Sequence, residues 1–126
     1  MRVKREVDRT DRVVVLCVGG AIDDAGLLGL AAEIRTAGDV PQDFALLIDL
    51  REASGLHVTT EGVRTLVAQP LVLSAASRRA VVVPSDLGFG MARMYEMLRE
   101  GRGGGMRAFR DFDEARRWVT SRSGEP

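Results

Sequence analysis

Three short runs in this chain are apolar without a break: Val13-Val14-Val15-Leu16-Cys17-Val18, Phe44-Ala45-Leu46-Leu47-Ile48 and Ala80-Val81-Val82-Val83. Alternate side chains of a strand point to opposite faces of its sheet, and here neither set is polar, so these runs read as strands buried on both sides. Such a sheet needs cover on both faces. Either helices divide between the two faces, or a second subunit or an apolar ligand covers one of them.

The intervening segments supply the helices. Asp23 or Asp24 caps a first helix whose Leu27, Leu30, Ala31 and Ile34 share a face, with Gly38 and Pro41 beyond its end. Thr59 or Thr60 caps a second, with Glu61 in the first turn, a buried stripe of Val63, Leu66 and Val67, and Pro70 as the stop. Residues 71–76 are compatible with a further helical turn. A long helix starts at Pro84-Ser85-Asp86 and runs to about residue 100, before the glycine-rich connector 101–105. Its Leu87, Met91, Met94 and Leu98 share one face and are expected in the core, with Phe89, Arg93, Glu96 and Glu100 opposite. After a short strand at 106–109, Asp111 and Glu114 have the spacing of a capping box for a last helix that buries Ala115, Trp118 and Val119.

At the N-terminus, residues 3–7 mix apolar and charged side chains as an edge strand does. Asp8-Arg9-Thr10-Asp11 reads as the turn of a hairpin into the strand 12–18, which Gly19-Gly20 breaks. Residues 50–58 read as a loop. The fold class is therefore α/β, with elements in the order β-β-α-β-α-β-α-β-α. Alternation of strands and helices implies right-handed crossovers and one mainly parallel five-stranded sheet with an antiparallel N-terminal edge strand.

At 126 residues, the expectation is one domain over 1–120 and a disordered tail at 121–126. Eighteen basic and 18 acidic residues cancel, so overall charge gives no pull toward nucleic acid or an anionic membrane surface. No apolar run approaches the ~20 residues of a membrane span, and residues 1–12 lack the apolar segment of a secretory signal, so a cytoplasmic protein is expected. Cys17 is the only cysteine and lies inside a strand run, which fits a buried residue better than a nucleophile.

Together Leu47-Ile48-Asp49-Leu50-Arg51, Val81-Val82-Val83-Pro84, Gly88-Phe89-Gly90-Met91-Ala92-Arg93-Met94-Tyr95 and Arg107-Ala108-Phe109-Arg110-Asp111 with Glu114-Ala115 and Trp118 make a chain that resembles the small bacterial SpoIIAA-like, or STAS-like, domains over nearly its whole length. The resemblance implies two functions. Anti-anti-sigma STAS proteins are switched by phosphorylation of a Ser or Thr at the start of the second helix, and the related CRAL-TRIO-like fold binds lipids and other apolar ligands. In place of the Asp-Ser-Ser-Gly of the phosphoswitch this chain has Val58-Thr59-Thr60-Glu61-Gly62.

The candidate phosphoacceptors are accordingly Thr59, Thr60 and Ser54, against the plainer reading of Thr59 or Thr60 as a helix cap. Asp49, at the C-terminal end of a central strand, and His57, the only histidine, are candidates for the switch loop or for structural support. Ser54, His57 and Asp49 lack a nucleophile elbow, so their proximity in sequence does not make a catalytic triad. One histidine without cysteine partners makes no zinc site, and the glycines at 88, 90 and 101–105 match neither a dinucleotide fingerprint nor a P-loop. No metal and no cofactor is expected. Phe89, Arg93 and Met97 mark a candidate surface for a partner or ligand. The sequence thus reads as a non-enzymatic regulatory module acting on a protein partner, with a homodimer as one form. The alternatives are a carrier of a small apolar ligand in a pocket of Met and Leu side chains, and an unrecognised enzyme using Asp49, His57 or Arg93.

Overall fold

The computed structural model describes residues 1–69, 73, 77–100 and 106–121. In chain order the elements are β1 (Arg2–Asp8), β2 (Val13–Asp23), α1 (Asp24–Thr36), β3 (Ala45–Asp49), β4 (Ala53–His57), α2 (Thr60–Ala68), β5 (Arg79–Val82), α3 (Asp86–Arg99), β6 (Met106–Phe109) and α4 (Phe112–Thr120). The strands form one sheet in the order β1-β2-β3-β5-β6, with β4 attached to β2. Only β1 and β2 are antiparallel, and every other pairing is parallel. The hairpin closes on Asp8, whose carboxylate accepts from the amides of Thr10 and Asp11.

The expected order of elements is present, with one strand added. Residues 53–57 lie in the stretch read as a loop, yet they form β4. The reason is in β2, which does not stop at Gly19-Gly20 but continues to Asp23. Gly20 takes a positive φ of 83°, the register with β4 shifts between Gly20 and Ala21, and the far end of β2 then carries a free edge. That edge recruits Ala53-Ser54-Gly55-Leu56-His57, whose small and polar residues gave no strand signal.

The helices do divide between the faces. Val14, Leu16, Val18, Phe44 and Leu46 point to one face, where Ile22, Leu30 and Ile34 complete a core under α1. Val13, Val15, Ala45, Leu47, Ala80 and Val82 point to the other, where α4 supplies Ala115 and Val119. α4 packs on β3, β5 and β6 and is fixed at its N-terminus by Asp111, which accepts from the Asp113 amide at 2.9 Å, one residue short of the capping-box position. α1, α2 and α3 lie on the first face. The turn expected at 71–76, apart from buried Leu73, the connector at 101–105 and the tail from 122 lie outside the described residues.

Candidate functional site

Between the first sheet face and α1, α2 and α3 lies an apolar cavity of about 140 Å³. Its floor is Leu16, Val18, Leu46, Ile48 and Val81, and its walls include Leu30 and Ile34 from α1 and Val63 and Leu66 from α2. The third wall comes from α3, through Gly88, Met91, Ala92, Tyr95 and Arg99, a stripe at spacings of three and four. This corrects the stripe Leu87, Met91, Met94 and Leu98 expected from hydrophobicity, of which only Met91 faces the cavity. Leu87 is 70% exposed and Leu98 37%. The inward stripe is missed because it carries a glycine, a tyrosine and an arginine. The helix is rotated by about a quarter-turn, at about 100° per residue, from the orientation its aliphatic residues suggest.

The volume is below the ~300 Å³ at which drug-sized ligand sites begin, and close to the ~150 Å³ at which an apolar cavity stays dry and takes up benzene. Leu and Val dominate the lining, and Met91 and Met106 are the methionines in it. The polar side chains of the lining are Arg35, Gln69, Arg79, Tyr95 and Arg99.

Asp49 sits where the sequence places it, at the C-terminal end of β3, and it is buried. Its carboxylate accepts from the Arg51 amide at 3.0 Å and from Arg51 Nε and Nη2 at 2.9 Å each, a fork-to-fork pair. The Arg51 guanidinium also lies 4.4 Å from the centre of the Phe112 ring, which ties the end of β3 to α4. Burial alone would raise the Asp49 carboxyl, but the hydrogen bonds and charge of Arg51 outweigh it and hold the group below the usual carboxylate range. Cys17, paired with Asp49 across the strands, has its thiol pushed up by burial and by the negative charges of Asp49 and Glu52, the reverse of an activated nucleophile. Both border an open polar groove on the α4 side of the sheet, together with Arg2, Lys4 and Glu52.

The other sequence candidates fall in separate places. Ser54 and His57 lie exposed on β4, and the Asp49 carboxylate is taken up by Arg51. Thr59 is the N-cap of α2: its hydroxyl accepts from the Gly62 amide at 3.0 Å and donates to Asp24 Oδ2 at 2.6 Å, while its own amide donates to Asp24 Oδ1 at 2.8 Å. Thr60, the first residue of the helix, is exposed. On α3, Phe89 is half-buried beneath the Arg110 guanidinium, 4.7 Å from the ring centre, and Arg93 pairs with Glu96 at 3.1 Å. Glu96 in turn accepts from the Ala108 amide of β6. Phe89 is thus packed at the α3–β6 junction, whereas Arg93 and Met97 are exposed. Among the described residues no group of three or more His, Cys, Asp or Glu is placed to hold a metal ion, and no helix is long and apolar enough to cross a membrane.

This architecture has a counterpart among solved structures. An uncharacterized protein of the DUF3478 family from Shewanella loihica PV-4, with a SpoIIAA-like fold, superposes with a TM-score of 0.57 over 94% of this chain and 92% of that one, at 18% sequence identity. The chain has a SpoIIAA-like fold. No family model matches it, and no curated protein does.

Proposed function

We propose that this chain is a non-enzymatic binding module that takes up a small apolar ligand between its sheet and α1–α3. The observation that carries this reading is the cavity of about 140 Å³, walled mainly by aliphatic side chains. Well-packed interiors leave few voids larger than a water molecule, and an apolar cavity this size forfeits dispersion contacts that a ligand restores. Retaining such a void in so small a domain is costly unless something fills it. With Cys17 as its only cysteine the chain needs no oxidising compartment, and a cytoplasmic site of action suits it.

The five methionines provide the test. Met91 and Met106 line the cavity, whereas Met1, Met94 and Met97 do not. Titration with benzene, followed by methionine methyl NMR, is expected to shift the Met91 and Met106 signals in a saturable way and leave the other three in place. Equal, non-saturating drift of all five signals would remove the ligand-binding reading.

A second reading, regulation through a protein partner, is favoured by the outer side of α3. Leu87 and Leu98 lie along one line of the helix with Met97 beside them, all three exposed. In its simplest form the partner is a second copy. Sedimentation equilibrium at tens to hundreds of micromolar is expected to show a dimer that Leu87→Lys dissociates, and a strictly monomeric wild type defeats this self-associating form.

A further inference from the structure

β1 is the end strand of the sheet, and no strand among the described residues lies along its outer edge. Its residues Arg2 to Glu6 are exposed. An end strand of this kind presents a row of backbone donors and acceptors that a further strand can take up. Which strand fits is decided by the side chains of Arg2-Val3-Lys4-Arg5-Glu6-Val7-Asp8.

Cross-strand partners share a face. Val3, Arg5 and Val7 lie opposite Val18, Leu16 and Val14, so they belong to the face under α1. Lys4, Glu6 and Asp8 lie opposite Cys17, Val15 and Val13, so they belong to the α4 face, as does Arg2 opposite Gly19. Along the α4 face the charges of β1 therefore run plus, plus, minus, minus. Reversing the strand reverses the signs, so an antiparallel copy offers the opposite charge at every one of these positions.

A twofold axis normal to the sheet keeps each face continuous, so it passes through a residue and not between two. Centred on Lys4 it sets Lys4 against its own copy and Val3 against Arg5. Centred on Glu6 it sets Glu6 against its own copy and Val7 against Arg5. Centred on Arg5 it sets Arg2 against Asp8, Val3 against Val7 and Lys4 against Glu6, each pair twice. The like-charged pair of that register is Arg5 with its own copy, and each Arg5 is already held by Asp39 at 3.0 Å. Val3, 41% exposed, then covers Val7, which is half-buried against the α1 core. Asp8 already pairs with Arg116 at 2.7 Å, so the Lys4–Glu6 pairs carry most of the selectivity. A strand of unrelated sequence meets mismatched charge on this edge, and a second copy does not.

We infer that β1 is a self-pairing edge: two copies of the chain join antiparallel about Arg5 and continue the sheet across the twofold. The inference goes beyond both readings above. It does not use the cavity, and α3, with its exposed line, packs on β6 at the other end of the sheet.

Sedimentation equilibrium of the full-length protein at tens to hundreds of micromolar tests it by charge exchange. The wild type is expected to self-associate. Lys4→Glu sets two carboxylates against each other at both symmetry-related positions, and Glu6→Lys sets two ammonium groups there. Each is expected to weaken association about tenfold or more. The double variant Lys4→Glu/Glu6→Lys restores opposite charges and is expected to return within about threefold of the wild type. An equimolar mixture of the two single variants is expected to form a mixed dimer, because each copy then meets opposite charge on the other. Amide exchange at alternate residues of β1 is expected to slow as the concentration of the wild type rises. A strictly monomeric wild type overturns the inference. So does association that the single variants leave at full strength, or a loss that neither the double variant nor the mixture recovers. Association abolished by Leu87→Lys and indifferent to the charge exchange would place the contact on α3 instead. Should a single variant fail to fold, the double variant and the exchange pattern of the wild type decide the question.

Discussion

Ala92→Leu is expected to abolish uptake of apolar probes while leaving the protein at least as stable as the wild type. Ala92 is half-buried on the inner stripe of α3, between Gly88 and Tyr95, and lines the cavity. A leucine at this position projects its added carbons into the void, where they meet aliphatic walls already in place. Cavity filling of this kind commonly adds about 0.5–2 kcal/mol, against about 1–3 kcal/mol lost when a site has no room. With about 140 Å³ to occupy, the first effect wins. The affinity for benzene or 1-hexanol is then expected to fall more than tenfold, with the urea midpoint unchanged or raised. The companion variant is Leu47→Ala, fully buried on the other face of the sheet among Val15, Val82 and Ala115. It is expected to cost about 2–5 kcal/mol, yet the molecules that remain folded should bind the probe as the wild type does. Uptake that survives Ala92→Leu, or that is lost in Leu47→Ala without unfolding, would put the ligand somewhere other than between the sheet and α1–α3.

That contrast depends on knowing which residues face which side, and the sequence carried part of that knowledge. The strands with unbroken apolar runs were legible because nothing but a double-sided core accommodates Val13 to Val18 or Ala80 to Val83. The helix starts were legible because Asp23, Thr59, Ser85 and Asp111 all act locally, within three residues of the amides they cap. β4 was not, since its pairing depends on where β2 bends at Gly20, far away in sequence. The cavity was not legible either. Arg79 and Arg99 look like surface residues in a string of letters, and only the assembled fold shows them buried along the cavity wall with their heads on the carbonyls of Ser77, Leu73 and Val67. Arg99, with Gly88 and Tyr95, also explains the misjudged face of α3. A hydrophobicity pattern assigns an arginine to water, whereas here the helix turns Arg99 inward to reach the carbonyl of Val67 and leaves Leu87 outside.

The junction of α1 and α2 gives the second large effect, and it bears on the switch that the sequence at Thr59 and Thr60 invites. Asp24, in the first turn of α1, lays its carboxylate across the start of α2, where it accepts from the amide and hydroxyl of Thr59. These bonds, the hydroxyl first, hold its carboxyl below the usual range. The carboxylate also sits against Gly62, so closely that a Cβ on Gly62 would overlap it. In an exposed helix Gly→Ala gains about 1 kcal/mol, but Gly62→Ala here must evict Asp24 and break both of its bonds to Thr59, and a net loss of about 1–3 kcal/mol is expected. In an Asp24→Ala background the obstacle is gone, and the same substitution is expected to become neutral or stabilising by up to about 1 kcal/mol. Thermal or urea unfolding of the four proteins in this cycle measures the coupling, and simple additivity would show that Asp24 and Gly62 do not meet. A phosphate on Thr59 faces the same obstacle with added charge: it would take over the oxygen that caps Gly62 and set two negative charges against the Asp24 carboxylate. Kinase treatment is therefore expected to label Thr60 in preference to Thr59 in the wild type, and to gain access to Thr59 only when Asp24→Ala clears the junction.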